Sequence, residues 1–138
     1  MRSLSTRFEG YKRALLEANL PVDEDIIILD RALVYNFDTG LKFARQLADK
    51  GMDAIFASTD MIALGAMRAL AEEGIRVPED IALVGYDNIP LAELMTPALT
   101  TIAQSDSHIA AAATEQLLLQ IMGEEYKSEV KLMPELII

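Results

Sequence analysis

Cysteine is absent from this chain of 138 residues, and histidine occurs only once. The absence of cysteine excludes a disulfide, a thiol nucleophile and a thiolate metal site. The single histidine, His108, has no serine or acidic partner at a spacing that would suggest a catalytic triad. Glycine-rich phosphate loops and zinc-protease motifs are also missing. The sequence therefore predicts that the protein is not an enzyme, and we expect no metal and no cofactor.

Basic residues are scarce as well, with 12 lysines and arginines against 22 acidic residues and a formal net charge of −10. An acidic surface repels a phosphate backbone, so we do not expect this chain to bind DNA directly. Apolar residues make up 51% of the sequence, but no apolar run approaches the ~20 residues that cross a membrane. We expect a soluble protein with no membrane partner, and the lack of cysteine fits the reducing cytoplasm.

Short apolar runs alternate with helical patterns along the chain. Strands are predicted at 26–29, 53–57, 81–86, 99–102 and 130–138. Helices are predicted at 5–19, 39–50 and 106–122, from the cap residues 58–60 to the stop signal Gly74, and as a short turn at 91–95. This alternation indicates right-handed βαβ units, and hence an α/β fold with a parallel sheet and helices on both faces.

The segment VPEDIALVGYDN, residues 77–88, is the most informative part of the sequence. The proline-containing turn at its start is followed by an apolar run, 81–86, that is typical of a strand buried on both faces. Open α/β sheets bind ligands at the carboxyl ends of their strands, which is where Asp87 would lie. Asp87 is therefore a candidate ligand contact, although its position also suits an ordinary turn residue.

Three strings carry a resemblance to a known family: VPEDIALVGYDN, ASTDMIALGAM at 57–67 and TPALTTIAQ at 96–104. Together with RFEGYKRAL at 7–15, they resemble the effector-binding domain of the lactose-repressor/galactose-repressor (LacI/GalR) family of bacterial transcription regulators. The resemblance implies one lobe of a periplasmic-binding-protein-like, Rossmann-like fold. It also implies that a small-molecule effector, a sugar or a nucleobase, controls DNA binding. A lobe of a periplasmic sugar-binding protein for transport shares this fold and is the alternative.

The resemblance further implies that residues 1–138 form a single partial domain, the C-terminal lobe of the effector-binding domain. The N-terminal lobe and the helix-turn-helix DNA reader of the family would then be missing, and operator DNA would be contacted only by that missing reader. The helix predicted at 106–122 has an apolar stripe that must be buried against something. By resemblance, residues 105–125 are expected to cross over into the missing lobe.

Five residues are implied by the resemblance to contact the effector. The aspartate of the family's GYD motif, here Asp87, accepts protons from the effector, and the arginine at the position of Arg7 forks onto the ligand. Thr59 stands where the family usually has an asparagine that touches the ligand. Tyr35 is our choice for the aromatic that stacks on the effector, and Gln104 ends a strand within reach. Each of these residues also suits an ordinary role. Thr59 could be a helix cap, Tyr35 a core or surface residue, Gln104 a partner of backbone groups, and Arg7 a solvated charge.

The resemblance implies a homodimer formed through the helix that starts near residue 60 and through the segment after Asp87. Apolar residues occupy almost the whole circumference of that helix, which exceeds what covering one sheet requires. The interface residues implied by the family are Met61, Leu64, Met67, Arg68, Leu94 and Met95.

Overall fold

The computed structural model describes residues 2–29 and 35–138, with the backbone alone for Arg2 and Ser3. From residue 37 onwards helices and strands alternate along the chain as predicted, and the helix at 106–122 has the predicted bounds. The helices are α1 (Arg2–Glu17), α2 (Phe37–Ala48), α3 (Asp60–Glu72), α4 (Pro90–Leu94) and α5 (Asp106–Met122). The strands are β1 (Ala54–Phe56), β2 (Ala82–Val84), β3 (Thr101–Ala103) and β4 (Glu135–Ile137).

The strands form two two-stranded sheets, β1–β2 and β3–β4, which isolated parallel bridges join edge to edge. β1 and β2 are parallel, with Ile55 opposite Leu83. Just after β2, the N–H of Gly85 donates to the carbonyl oxygen of Thr100 at 2.9 Å, which places β3 parallel beside the extension of β2. β4 pairs with β3 in the antiparallel direction. The predicted α/β fold with a parallel sheet is therefore confirmed, and an antiparallel strand is added at one edge.

Different helices cover the two faces of the sheet. Ile55 and Leu83 point to one face and belong to the same buried cluster as Leu70 of α3. Phe56 points to the opposite face, where its ring stacks on Tyr11 of α1 with 6.4 Å between the ring centroids. Burial of each large apolar side chain contributes roughly 1.5–3 kcal/mol to folding, so most of the stability lies on the α3 side.

α2 packs closely against α3 because two glycines leave room for the backbones to touch. A β-carbon on Gly40 would collide with the carbonyl oxygen of Ile62, and one on Gly65 would collide with that of Phe37. Both glycines are buried. Two helices can approach this closely only where neither presents a side chain. α3 is therefore enclosed by the sheet on one side and by α2 on another.

This enclosure corrects part of the predicted dimer surface. Leu64 is only 4% exposed and Met67 only 7% exposed within the single chain, where both belong to the apolar core. The structure therefore does not support these two side chains as dimer contacts. The wide apolar surface of α3 is explained by α2, which covers the side that the sheet leaves open.

The strand predicted at 26–29 is not formed in the described part of the chain. Residues Glu24–Ile26 form a single 3₁₀ turn, which Asp23 caps by accepting from the backbone N–H of Asp25 at 2.9 Å. Ile27 has an extended backbone, but Leu29 is 67% exposed and neither belongs to a strand. An apolar run becomes a strand only where a neighbour completes its hydrogen bonds, and local composition does not report such a neighbour.

An apolar stripe on α5 is left exposed. None of the residues of this helix is buried. The stripe consists of Ile109, Leu117, Leu118 and Ile121, whose side chains are between 42% and 72% exposed. The described helices include none that is long and apolar enough to cross a membrane.

Replacement of Gly65 by alanine should force α2 away from α3. We expect Gly65→Ala to lower the free energy of unfolding by about 1–3 kcal/mol or more, because the new methyl group meets rigid backbone. Gly10→Ala in α1 is the matched control, since nothing lies within 4 Å of the position its β-carbon would take; it should be neutral or stabilising by about 0.5–1 kcal/mol. Urea unfolding followed by circular dichroism measures both. Wild-type stability of Gly65→Ala would contradict the close helix contact.

Candidate functional site

The carboxyl ends of the parallel strands meet at one edge of the sheet. β1 leads into Ser58 and Thr59, β2 leads into Tyr86 and Asp87, and β3 leads into Gln104. In open α/β sheets this edge is where ligands bind, because polar side chains and backbone groups converge there. Three of the residues predicted to contact an effector therefore lie at the expected edge.

Arg7 reaches this edge from α1 and pairs with Asp87. One terminal nitrogen of the guanidinium lies 3.2 Å from Oδ1 of Asp87, and the other donates to the carbonyl oxygen of Ser58 at 2.5 Å. The guanidinium carbon lies 3.6 Å from the centroid of the Tyr86 ring, a cation–π contact. The structure thus brings together the two charged residues that the sequence predicted, and it fixes the plane of the guanidinium.

The guanidinium of Arg7 retains unused hydrogen-bonding capacity. Its side chain is only 12% exposed. Its Nε–H is buried and has no hydrogen-bond partner among the described residues. A guanidinium carries five N–H donors in a fixed planar arrangement. Arg7 can therefore donate to a further acceptor without giving up the contact with Ser58.

Asp87 has an unusual backbone. Its φ is +118° and that of Asn88 is +54°, in a region that residues other than glycine rarely adopt. Such residues cost roughly 1–3 kcal/mol each and persist only where the surrounding structure holds them. Strain of this kind concentrates at binding sites, and here it affects the residue with the best-placed carboxylate.

The pKa of the Asp87 carboxyl is raised above its ordinary value, mainly because burial disfavours the charged form. The guanidinium of Arg7 opposes this shift, while the nearby carboxylates of Asp60 and Asp106 add to it. The single 3.2 Å contact with Arg7 would by itself lower the pKa. Burial is the larger effect because the pair shares only one contact rather than a bidentate one.

A second acid, Asp60, is completely buried beneath this edge. Oδ1 of Asp60 accepts from the hydroxyl of Thr101 at 2.5 Å, and Oδ2 accepts from the backbone N–H of Ile89 at 2.9 Å. Gly85 makes the room, since a β-carbon there would strike Oδ1 of Asp60. The sequence pattern placed Asp60 only among the cap residues 58–60 and gave Thr101 no role. One feature of the sequence could have indicated that Asp60 is buried: it is an acid at the start of a helix that is apolar on nearly every side.

The remaining predicted contacts are placed less directly. Thr59 caps α3, where its hydroxyl oxygen accepts from the N–H of Ile62 at 3.4 Å, so its structural role is confirmed. Gln104 and Tyr86 line a cavity of about 70 Å³. Tyr35 is half-buried, and within the described ranges no hydrogen bond or ring contact joins it to the charged pair.

The chemistry available at this edge is binding rather than catalysis. A carboxylate and a guanidinium lie side by side, so a ligand hydroxyl can donate to one and accept from the other. The cavity of about 70 Å³ is lined by Tyr86 and Gln104 but by neither Arg7 nor Asp87, and it is far below the roughly 300–1,000 Å³ that encloses a typical small ligand.

The raised pKa of Asp87 leads to a stability prediction. A carboxyl whose folded-state pKa lies above its unfolded value holds more protons when folded, so stability falls as the pH rises through that window. Asp87→Asn keeps an oxygen that can accept from Arg7 and removes the partly buried charge. We expect this variant to be more stable than the wild type at pH 7, with the difference vanishing near pH 3 (~1 unit below the ordinary carboxyl pKa).

The measurement is urea unfolding between pH 3 and pH 8. Asp53→Asn controls for the loss of one negative charge from an acidic chain, because Asp53 is exposed and precedes β1 at the other end of the sheet. A lower stability of Asp87→Asn at pH 7, or a gain equal to that of Asp53→Asn, would contradict the prediction.

Comparison with known proteins places this geometry in a family. A family model described as a periplasmic binding protein-like domain matches residues 3–138. The HTH-type transcriptional repressor PurR of Vibrio atlanticus (strain LGP32) is 40% identical over 134 residues, which cover 95% of this chain and 39% of the repressor. The chain therefore spans well under half the length of this curated relative.

Two solved structures show the same architecture. A regulatory protein of the LacI family from Chloroflexus aggregans has a TM-score of 0.90 at 28% identity, over 96% of this chain and 48% of its own. A LacI family transcriptional regulator from Enterococcus faecium, solved with bound ribose, has a TM-score of 0.85 at 32% identity, over 98% of this chain and 50% of its own. These relatives are regulators rather than enzymes, in agreement with the sequence prediction. The chain belongs to the periplasmic binding protein-like domain family, and its similar solved structures include LacI-family transcriptional regulators.

Proposed function

We propose that this chain is the effector-binding part of a LacI-family transcriptional regulator that acts in the cytoplasm. The observation that carries the proposal is the ion pair of Arg7 and Asp87 at the ligand edge of the sheet. Binding of a small molecule at this edge would control DNA binding by another part of the full-length protein. The regulators found among the relatives favour this function over a transport protein.

The charged pair favours an uncharged ligand with neighbouring hydroxyl or amine groups, which fits a sugar or a nucleobase. Asp87 accepts hydrogen bonds, and Arg7 has a buried Nε–H with no partner among the described residues. An acidic ligand would pair with Arg7 only by approaching the carboxylate of Asp87. The regulator from Enterococcus faecium was solved with bound ribose, which supports the sugar class.

The site requires a second wall, which we assign to an N-terminal lobe that this chain does not contain. The chain would then be the C-terminal lobe of the effector-binding domain. Two observations support this: neither Arg7 nor Asp87 lines the small cavity beside Gln104, and the apolar stripe of α5 is uncovered. Residues 105–125 would cross into the missing lobe, and the stripe would be buried there.

We further propose a homodimer that uses exposed residues of α3 and of the α4 segment. Met61 is 36% exposed and Leu94 is 75% exposed. Met95 is half-buried against the core, and Arg68 is exposed and paired with Glu72 of its own helix at 2.7 Å. An apolar side chain as exposed as Leu94 gains stability when a partner covers it.

The effector role of Asp87 can be tested in a chimaera in which residues 3–138 replace the matching part of the Enterococcus faecium regulator. Reporter transcription would be measured with ribose, cellobiose and guanine. We expect a ligand in this panel to change transcription, and we expect Asp87→Ala to weaken the response by about 10- to 100-fold in ligand concentration, since hydrogen bonds to a charged group contribute roughly 1.5–3 kcal/mol.

Asp53→Ala is the matched control for that experiment, because it removes the same charge at the opposite end of the sheet and should leave the response intact. A normal response of the Asp87→Ala chimaera would remove Asp87 from the site. Micromolar binding of ribose by the isolated chain in calorimetry would contradict the one-wall arrangement.

The dimer surface is tested by Leu94→Asp. We expect the wild-type chain to sediment as a dimer at micromolar concentration and the variant to sediment as a monomer with an unchanged circular dichroism spectrum, because a charge at an apolar contact is costly. Leu16→Asp is the control, since Leu16 is 64% exposed on α1 and lies outside the proposed surface. A monomeric wild type, or equal effects of the two substitutions, would refute the proposed interface.

A further inference from the structure

Asp60 and Thr101 lie beneath the ligand edge, and both are completely buried. We propose that these two residues are positioning residues that hold the Asp87 carboxylate in place against Arg7. The proposal rests on the proposed function for the role of Asp87 as a ligand contact. The positioning itself is a property of the unliganded chain and is measurable without any ligand.

Asp60 and Thr101 together hold the backbone on both sides of Asp87, before it through the main chain of Asp60 and after it through the two side chains. Before it, the carbonyl oxygen of Tyr86 accepts from the N–H of Asp60 at 2.7 Å. After it, the N–H of Asn88 donates to the Thr101 hydroxyl oxygen at 3.3 Å, and the next N–H donates to the Asp60 carboxylate at 2.9 Å. The hydroxyl of Thr101 in turn donates to Asp60 at 2.5 Å. The segment is therefore held at three places: by the backbone of Asp60, by the hydroxyl of Thr101 and by the carboxylate of Asp60.

The chemical types of the two side chains fit this task. The carboxylate of Asp60 offers two acceptor oxygens, and each meets a donor. An asparagine at the same place would direct an amide N–H₂ at either the hydroxyl of Thr101 or the backbone N–H of Ile89. Threonine accepts one hydrogen bond while it donates another, which a valine of the same shape cannot do. The start of α3 also favours a negative charge at Asp60.

The backbone of the segment explains why such holding is needed. The positive φ values of Asp87 and Asn88 cost free energy unless the surrounding structure holds them, since neither residue is a glycine. The N–H of Asp87 donates to the carbonyl oxygen of Ile102 at 2.9 Å, and on our proposal the contacts of Asp60 and Thr101 hold the residues on either side of it. Position and orientation of the carboxylate therefore depend on groups that touch no ligand.

The test uses nuclear magnetic resonance on the isotope-labelled full chain. Three-bond couplings between amide and α protons report the φ angles of Asp87 and Asn88, and carbon-detected titration reports the pKa of the Asp87 carboxyl. In Thr101→Val we expect both couplings to change and the titration of Asp87 to shift. Thr101→Ser, which keeps the hydroxyl, should restore the wild-type values. Thr100→Val is the control for a hydroxyl lost one residue away.

Unchanged couplings and an unchanged Asp87 titration in folded Thr101→Val would overturn the proposal. If that variant unfolds, hydrogen exchange of the wild-type chain tests the proposal in its place. The amides of Asn88 and Ile89 should then exchange more slowly than unstructured amides, by a factor on the order of 100 or larger. Unprotected exchange of these two amides would equally overturn it. If Asp87 proves not to contact an effector, the couplings and exchange rates should still be as expected. The proposed ligand contact and the proposed positioning can therefore be refuted independently.

Discussion

The buried carboxylate of Asp60 is the interaction on which the ligand edge of this sheet depends. A carboxylate without solvent must find donors inside the protein, because an unpaired buried charge is strongly destabilising. Here the donors are the hydroxyl of Thr101 and the N–H of Ile89, which lie on different segments. Satisfying one side chain therefore joins the start of α3, the chain after β2, and β3. Gly85 belongs to the same arrangement because any side chain there would displace the carboxylate.

The residues at this edge of the sheet lower the stability of the fold, and burial elsewhere in the chain offsets the loss. Asp87 combines a strained backbone with a raised pKa, so it is retained at the expense of stability. The compensating burial lies on the other side of the sheet, where α2 and α3 meet through Gly40 and Gly65 and enclose a continuous apolar core. A rigid core of this kind holds a strained loop in a single conformation, which is what a binding site requires.

The same chain leaves other apolar surfaces without cover. Leu94 is exposed on α4, and the stripe from Ile109 to Ile121 is exposed on α5, while the core around α3 is closed. Folded proteins rarely leave large apolar areas uncovered unless a partner surface exists. The proposed second copy of the chain accounts for Leu94, and the proposed second lobe accounts for the stripe on α5.

The sequence by itself determined the class of fold and the position of Asp87 at the carboxyl end of a strand. Two helices end at glycines, Gly74 and Gly123, which take positive φ values that glycine adopts easily. The strand that leads to Asp87 follows from the periodicity of its apolar residues. The tertiary structure alone decided which side chains face one another. Leu64 was predicted to contact a second chain and lies in the core of its own chain. Asp60 was predicted only as one of the cap residues 58–60, and it also joins three segments of the chain. Periodicity records that a surface is apolar or polar, but the neighbour that covers it is chosen by contacts between residues far apart in the chain.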